Sequence, residues 1–306
     1  MKTILVAAAA LLSGCVVTHH AVQQSTLGVA RSSADLLAVL STPGEVTVET
    51  IAACDWEVDR SGLINLEHPR AKEAGLIDGA EPIQVFFHVL RHPTKGTFIV
   101  DTGVENALRD DQSKSVISGL MRSFMKVERM KVHQPLGEWI AKEPQPLQGV
   151  FLTHLHFDHI TGMADVPKGT QVYTGPGEAS ASAFMHMFVQ GSTNRALEGK
   201  GAINEWAFTP DPAGRFAGVL DVFGDGSVWA IWLPGHTPGS TAFLVRTPGG
   251  PVLLTGDVAH TRWGWDHDVE PGTFTSDGPL SVESFKKLRA LVAEHPQIDV
   301  RLGHQR

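Results

Sequence analysis

The 306 residues of this chain are enough to bury a substantial core in one large domain or in two closely packed halves. Hydrophobic residues make up 42% of the chain and charged residues 19%, which is ordinary for a folded globular protein. The formal net charge of −8 gives no general attraction to nucleic acid, so we expect no nucleic-acid partner.

The first residues have the layout of a bacterial lipoprotein signal. Met1-Lys2 precedes an apolar stretch over Ile4–Leu12, and the sequence Leu-Ser-Gly-Cys then ends at Cys15. We therefore predict a lipoprotein-type signal peptide over residues 1–14 and a lipid on Cys15. The protein would then be anchored to a membrane of the bacterial cell envelope. An ordinary signal peptide with a cysteine nearby is the alternative.

Residues 15–44 are predicted to be a tether after the lipidated cysteine, and residues 45–306 the folded domain. Ser, Thr and Gln are scattered through the tether, which contains one predicted short helix at 34–40. If Cys15 carries a lipid, Cys54 has no cysteine left to pair with in the chain. We expect Cys54 to be a small buried apolar group.

Strands and helices alternate through the predicted domain. Segments rich in β-branched and aromatic residues predict strands at Val46–Ile51, Ile83–Leu90, Thr97–Val100, Val150–Leu152, Val228–Trp232, Thr241–Val245 and Val252–Leu254. Apolar residues at helical spacing predict a helix over Ser115–Arg129 and a final helix capped by Ser281. Two strand ends are alike, because Phe98–Gly103 and Val252–Asp257 each end an apolar strand on an acid beside a glycine. Two similar halves packed face to face would explain this sequence similarity.

The sequence His-Leu-His-Phe-Asp-His at 154–159 follows an apolar strand directly. On an extended segment, side chains at i and i+2 point the same way, so His154 and His156 can bind one ion. If a helix begins just after them, Asp158 and His159 turn toward a second position. Imidazole and carboxylate are the ligands that zinc prefers outside thiolate sites. A metal site is therefore favoured over histidines that merely cap the ends of elements.

Further donors follow later strands, where loops place functional groups. His236 lies in a turn braced by Gly and Pro, Asp257 comes just past an apolar strand, and His304 lies near the end of the chain. Each residue alone is more typical of a turn. Together with the first cluster, they predict that two metal ions are bound.

These motifs resemble the metallo-β-lactamase superfamily. The match consists of H-x-H-x-D-H at 154–159, G-H-T-P-G-S at 235–240, the acid at 257 and G-H at 303–304, in this order. The resemblance implies an α+β fold, a four-layer αββα sandwich. It also implies two divalent metal ions at one edge of the sheets, with zinc as the predicted metal and iron, manganese and cobalt as alternatives.

The resemblance also implies the role of each donor. It assigns His154, His156 and His236 to one ion, Asp158, His159 and His304 to the other, and Asp257 to both. Asp101 matches the family's D-T-G strand end, an acid that usually supports the site and is not a ligand.

This ligand set predicts a dinuclear-metal-dependent hydrolase in which a hydroxide between the ions attacks the substrate. Asp158 would orient that nucleophile and relay a proton to the leaving group. Asp257 favours lactonases, thioesterases and phosphodiesterases over members that hydrolyse β-lactams, and the spacing is most similar to N-acyl homoserine lactone lactonases. We therefore predict a small-molecule substrate, a lactone or another ester.

Three alternatives stay open at this stage. They are a glyoxalase II-like thioesterase, a phosphodiesterase and a non-catalytic metal-binding lipoprotein. A phosphodiesterase needs cations near the metals, and only Arg262 is close in sequence. The sequence does not determine the oligomeric state.

His260 is the second predicted catalytic residue. The lactonases often have a tyrosine three residues after the shared aspartate, and His260 stands at that position here. It either donates to the carbonyl or leaving oxygen of the substrate, or it is a surface or packing residue.

The wall of the substrate cleft is predicted from apolar clusters. Leu120–Met130 and Phe184–Val189, with Trp263 and Trp265, either line a cleft for an acyl chain or belong to the core. Thr261–His267 is the preferred pocket wall, because it directly follows the predicted site.

Overall fold

The computed structural model describes residues 15–117, 119–183 and 186–306. The predicted signal peptide at 1–14 lies outside the described residues, as do Phe184 and Met185 of one predicted apolar cluster. Within the described ranges, no helix is both long enough and apolar enough to cross a membrane.

The described secondary structure alternates between strands and helices along the chain. The strands are β1 (Cys15–Val16), β2 (Val22–Gln24), β3 (Val29–Arg31), β4 (Thr47–Asp59), β5 (Ala80–His92), β6 (Gly96–Val100), β7 (Lys131–Val132), β8 (Leu147–Phe151), β9 (Gln171–Thr174), β10 (Ser182–Ala183), β11 (Ile203–Glu205), β12 (Gly218–Asp221), β13 (Val228–Trp232), β14 (Thr241–Thr247), β15 (Gly250–Leu254) and β16 (Asp299–Arg301). The α-helices are α1 (Ser33–Val39), α2 (Arg60–Leu63), α3 (Pro69–Glu73), α4 (Ala107–Asp110), α5 (Gly119–Phe124), α6 (Leu136–Lys142), α7 (Phe157–Ile160), α8 (His186–Ala196), α9 (Arg262–Asp266) and α10 (Gly278–Glu294). Short 3-10 turns cover Gln112–Lys114, Val127–Arg129, Thr161–Asp165 and Gly256–Val258.

Two large sheets account for most of these strands. Sheet one has the order β2-β11-β9-β8-β6-β5-β4-β7, and sheet two has the order β16-β15-β14-β13-β12-β3. β6 and β8 are parallel neighbours in sheet one, and β15 and β16 are parallel neighbours in sheet two. The carboxyl ends of each parallel pair therefore meet at the same edge, where the polar motifs begin.

The facing sides of the two sheets form a central core. Leu90 and Phe151 of sheet one share a buried cluster with Phe243 and Leu254 of sheet two. The Phe151 ring stacks on Phe98 with 5.0 Å between ring centroids and on Phe243 with 5.7 Å. Because Phe151 is the last residue of β8, this packing fixes the point at which the H-x-H segment leaves the sheet.

Helices cover the outer side of each sheet. Leu36 of α1 and Phe285 of α10 share a buried cluster with Ile231 of sheet two. On the other side of the molecule, Ile160 of α7 belongs to the same cluster as Phe87 of sheet one. The layers are therefore helix, sheet, sheet and helix, and the predicted αββα sandwich is confirmed.

The structure corrects the predicted tether. β2 extends sheet one by pairing with β11, and β3 extends sheet two by pairing with β12. The helix predicted at 34–40 is present as α1, where Leu36 is fully buried. Both β2 and β3 are exposed at sheet edges, where polar residues are common. The composition of residues 15–44 therefore resembles that of a linker.

Two helices begin or end at residues that differ from those predicted. The helix over Ser115–Arg129 is reduced to α5 and a 3-10 turn, because Lys126 adopts a left-handed backbone conformation with φ of 53°. The final helix begins before Ser281, because the Asp277 side chain accepts a hydrogen bond from the Leu280 amide at 3.0 Å and caps the first turn.

Candidate metal centre

One group of polar side chains, which we call the three-histidine group, consists of His154, His156, His236 and Asp257. Their candidate ligand atoms all lie within 4.8 Å of one another. Nε2 of His236 lies 3.3 Å from Nε2 of His154 and 2.9 Å from Nδ1 of His156. Oδ2 of Asp257 lies 3.5 Å from Nε2 of His236. Three ring nitrogens and one carboxylate oxygen therefore face a common point.

A second group, which we call the two-aspartate group, consists of Asp158, His159, Asp257 and His304, again within 4.8 Å. Oδ1 of Asp257 lies 3.3 Å from Nε2 of His159 and 3.3 Å from Nε2 of His304. Oδ2 of Asp158 lies 3.3 Å from Nε2 of His304. Asp257 thus belongs to both groups, and the structure brings all seven predicted ligand residues together.

Local structure explains how the first group is held. His154 and His156 lie between the end of β8 and α7, whose N-cap is His156. His236 lies in the loop after β13, where Gly235 has φ of 139°. A Cβ on Gly235 would lie 2.2 Å from the Ser281 backbone nitrogen, so only glycine lets this loop dock against α10.

The chemistry of these donors fits divalent metal ions. Nδ1 of His159 lies 2.8 Å from Asp101, and Nδ1 of His304 donates to the Gln84 carbonyl oxygen at 3.0 Å. These outer hydrogen bonds leave the Nε2 lone pairs facing inward. Among the described residues, Nε2 of His159 and Oδ1 of Asp257 are buried without a hydrogen-bond partner. A bound cation satisfies such inward lone pairs.

Asp101 supports the centre from behind the ligand atoms. It has φ of 56°, an unusual conformation for a residue with a side chain. Its carboxylate accepts hydrogen bonds from the Thr153 amide at 2.8 Å and the Thr153 hydroxyl at 2.9 Å. The same carboxylate accepts from Nδ1 of His159 at 2.8 Å. Asp101 therefore orients His159 and lies outside both groups, as the sequence predicts.

The two groups differ in their charge state without metal. Burial lowers the pKa of His154 and His236 well below the usual histidine value, and lowers the pKa of His156 to about 4. These rings are neutral near pH 7, which is the form that binds a cation. Burial opposes a charge on His159, but three nearby carboxylates together raise its pKa well above the usual value. The two-aspartate group therefore holds protons that a metal ion has to displace.

His260 lies inside this centre, so it is not a surface residue. Nδ1 of His260 donates to the Leu63 carbonyl oxygen at 3.1 Å, and Nε2 lies 3.1 Å from Oδ2 of Asp257. Because a carbonyl oxygen can only accept, Nδ1 carries a proton, and Nε2 carries one only when the ring is a cation. The His260 ring also stacks on His304, with 5.7 Å between ring centroids.

Solvent reaches the centre from one side. His156 and Asp158 keep partial exposure, whereas the other five members of the two groups are buried. The side chain of Asp158 is 16% exposed. A substrate would therefore meet Asp158 and His156 first.

His304 is the one predicted ligand residue among those that line a cavity of about 670 Å³. Its charged lining residues are Arg129, Arg262, Arg306, Asp55 and Glu57. The predicted pocket wall over Thr261–His267 contributes Arg262 to this lining. The structure thus gathers arginines beside a predicted ligand that are far apart in sequence.

The residues of the predicted apolar clusters are divided between the core and the surface. Trp265 is buried under sheet two, where its ring lies 5.9 Å from that of Phe285, so it does not line a cleft. Met121 belongs to the core on the outer side of sheet one. On α8, Met187 is 49% exposed and Phe188 is 39% exposed.

Glu178 is a candidate site residue that was not predicted from the sequence. Glu178 is 1% exposed and hydrogen bonds to the loops that hold the three-histidine group. A Thr-Gly-Pro-Gly-Glu turn after β9 was the available signal, but such a turn normally ends in a solvated acid. The carbonyl oxygens of Leu63 and Gln84 orient His260 and His304. Backbone contacts of this kind cannot be recognised from residue identities.

The fold and the shared aspartate define the class of protein. The sequence profile of the metallo-beta-lactamase superfamily matches residues 80–294, and the chain belongs to this superfamily. The predicted family is thereby confirmed, and so is the prediction of a hydrolase with this fold.

Comparison with individual proteins is more specific than the match to the superfamily. The chain is similar to the N-acyl homoserine lactonase AttM of Azorhizobium caulinodans, with 31% identity over 230 residues, covering 72% of this chain and 82% of the relative. A solved quorum-quenching N-acyl homoserine lactone lactonase is similar in fold, with a TM-score of 0.59, 19% identity and coverage of 86% of this chain and 94% of that chain. AidC, a dizinc quorum-quenching lactonase, has a TM-score of 0.56 and 14% identity, with 92% of each chain covered.

Proposed function

We propose that this chain is a dinuclear-metal hydrolase that opens the ring of lactones, with N-acyl homoserine lactones as the substrate class. The sharing of Asp257 between the two donor groups carries this proposal, because it provides two adjacent metal positions. The similarity to an N-acyl homoserine lactonase supports the substrate class.

The three-histidine group would hold one ion and the two-aspartate group the other. Imidazole and carboxylate donors without a thiolate suit zinc, and the likeness to a dizinc lactonase agrees with that choice. When bound, two such ions polarise a carbonyl group and lower the pKa of water towards neutrality, which is the chemistry that ester hydrolysis needs.

The chain's own residues would orient the reactants and move protons. Asp158 lies at the exposed side of the centre, with its Oδ2 3.3 Å from Nε2 of His304. A carboxylate there can accept a proton from the attacking water and deliver it to the leaving oxygen. We infer that His260 is the second proton source, because it presents Nε2 to the centre and the cationic form of the ring can donate from that atom.

A hydrolysis panel combined with metal analysis tests this function. We expect about two divalent ions per chain and turnover of N-acyl homoserine lactones that is lost on chelation and restored by zinc. Full activity after chelation would contradict the metal requirement. Two bound ions with no hydrolysis of any lactone, thioester or phosphodiester would instead support the non-catalytic alternative.

The arginine-lined cavity beside His304 favours one second candidate, a phosphodiesterase. Cations near a two-metal site can neutralise phosphate oxygens, and Arg129, Arg262 and Arg306 line this cavity together with Asp55 and Glu57. The same panel separates the two functions. Turnover of a phosphodiester that exceeds lactone turnover, and that falls in Arg262→Ala, would replace the lactonase proposal.

We also propose that Cys15 carries a lipid that anchors the protein in the bacterial cell envelope. The Leu-Ser-Gly-Cys motif at residues 12–15 supports this assignment. Cys15 lies in β1, which pairs with β10, and its carbonyl oxygen accepts from Nδ1 of His186 at 3.2 Å. A lipid on Cys15 would therefore hold the start of α8 close to the membrane.

Mass spectrometry and fractionation of the mature protein test the anchor. We expect a lipid adduct on Cys15, and we expect Cys15→Ser to appear in the soluble fraction or as an unprocessed precursor. A mature chain with an unmodified Cys15 would rule the anchor out. That result would leave the hydrolase proposal intact.

A further inference from the structure

A single buried carboxylate connects the two loops of the three-histidine group. Oε1 of Glu178 accepts a hydrogen bond from the Leu155 amide at 2.9 Å, and Oε2 accepts one from the Gly239 amide at 2.8 Å. Leu155 stands between His154 and His156, and Gly239 is three residues after His236. One side chain thus reaches every histidine loop of this group.

The turn that carries Glu178 lies very close to the loop that carries His236. A Cβ on Gly239 would lie 2.7 Å from Oε2 of Glu178, and a Cβ on Gly175 would lie 1.7 Å from the Gly239 carbonyl oxygen. Gly177 has φ of 74°, which turns the chain so that Glu178 points inward. The turn at 174–178 is therefore packed directly against the His236 loop.

The hydrogen bonds show which chemical groups the two loops require from residue 178. Burial raises the pKa of Glu178, while hydrogen bonds from Leu155, Thr237 and Gly239 act in the opposite direction. Both amides can only donate, so each carboxylate oxygen has to accept. The two loops therefore need two acceptor oxygens on one side chain, which Glu178 supplies.

We propose that Glu178 is the positioning residue of the three-histidine group, and that it sets the metal affinity of this group alone. Asp101 orients His159 of the two-aspartate group and also holds Thr153, whose hydroxyl oxygen lies 3.0 Å from Nδ1 of His154. The hydrogen bonds of Glu178 from Leu155 and Gly239 instead reach the loops of the three-histidine group. This inference rests on the proposed dinuclear function.

Glu178→Gln is the informative substitution because it hardly changes the size of the side chain. An amide group keeps one acceptor oxygen and replaces the other with an NH₂ group, which would face a backbone N–H donor. One of the two loops loses its hydrogen bond and is repelled. We expect metal affinity at the three-histidine group to fall by about 10- to 100-fold, as is typical for partners of metal ligands.

Titration of metal-free protein with zinc against a chromophoric chelator measures the two binding steps separately. Glu178→Gln is expected to weaken one step, and His236→Ala, which removes a ligand, identifies that step as the three-histidine group. The other step should keep its wild-type affinity. Asp101→Asn should show the reverse pattern, with the weakened step being the one that His304→Ala abolishes.

Asp221→Asn is the matched control for general destabilisation. Asp221 is 3% exposed and accepts hydrogen bonds from the Gly224 and Gly226 amides at 2.9 and 2.8 Å, much as Glu178 does for its loops. Asp221 belongs to neither donor group. We expect this variant to lose unfolding free energy and to keep both zinc-binding steps. Glu178→Asp, which keeps the charge but is too short to span both loops, replaces Glu178→Gln if that variant does not fold.

Two results would overturn the inference. They are unchanged zinc binding in the Glu178 variants, and an equal weakening of both steps. Either result could occur while the wild-type protein binds two ions and hydrolyses lactones, which leaves the proposed function standing. Wild-type protein that binds fewer than two ions would instead remove the proposed function itself.

Discussion

The end of β6 and the end of β15 have similar sequences and contribute differently to the metal centre. Asp101 follows β6 directly and itself takes the left-handed conformation, with φ of 56°. After β15 that conformation falls on Gly256, with φ of 50°, one residue before Asp257. Asp101, which itself adopts the left-handed conformation, hydrogen bonds to Nδ1 of His159 and lies outside both donor groups. Asp257, which follows the left-handed residue, belongs to both donor groups.

This difference shows how a small shift in backbone conformation changes the role of a carboxylate. Both acids are buried, and both contact His159. Asp101 contacts the outer nitrogen Nδ1, and Asp257 contacts the inner nitrogen Nε2. Four substitutions can break or sharpen the comparison.

Asp257→Asn should have the largest effect. It removes the charge shared by both groups, so we expect loss of both metal ions and a fall in turnover of about 10³-fold or more, which corresponds to several kcal/mol. Metal analysis and lactone hydrolysis by the purified variant measure this. Two ions retained at wild-type affinity would show that Asp257 is not shared between them.

His260→Ala tests a feature that only the β15 end has, because the residue three positions after Asp101 is Val104. We expect lactone turnover to fall by about 10²- to 10⁴-fold if His260 is a general acid. Metal content should stay at the wild-type level, as measured on the same preparation. Unchanged turnover would mean that His260 only packs against Asp257 and His304.

Asp101→Asn should have a smaller effect, confined to one group. Asparagine tolerates the left-handed conformation, so the backbone should be retained. Its NH₂ group can donate to Nδ1 of His159 and would move the ring proton to Nε2, which faces the metal position. We expect about 10- to 100-fold weaker zinc binding at the two-aspartate group. Wild-type affinity there would mean that Asp101 does not select the His159 tautomer.

His88→Gln tests whether a buried histidine beside the end of β6 makes the stability of the protein depend on pH. His88 pairs with Val100, next to Asp101, and burial, aided by nearby positive charges, lowers its pKa to about 3. The unfolded chain, with an ordinary histidine pKa near 6.5, binds a proton that the folded protein rejects. Stability is therefore lost as the pH falls from about 6.5 towards about 3, and by pH 5 this loss is about 2 kcal/mol.

The glutamine variant should lack this loss. Denaturant unfolding of metal-free wild type and variant at pH 7 and pH 5 gives the difference, and other titrating groups cancel between the two proteins. The same pH dependence in both proteins would show that His88 is not responsible.

The donor residues could be predicted from the sequence more accurately than the helices and strands between them. All seven predicted ligand residues come together, because donors cluster at strand ends and the order of the motifs is distinctive. The tether prediction was wrong because exposed edge strands and linkers have the same polar composition. The helix over residues 115–129 was too long because apolar spacing does not reveal the left-handed residue at Lys126.

The sequence by itself determined the strand ends that carry the centre and the types of donor atom, because these depend on local periodicity and on the side chains themselves. The fold class followed from the resemblance of the ordered motifs to the metallo-β-lactamase superfamily. Only the tertiary structure decided that Glu178 joins two histidine loops and that Asp101 and Asp257 contact opposite nitrogens of His159. Glu178 is 23 residues from Leu155 and 61 residues from Gly239, so these contacts exist only after the sheets and their loops have packed.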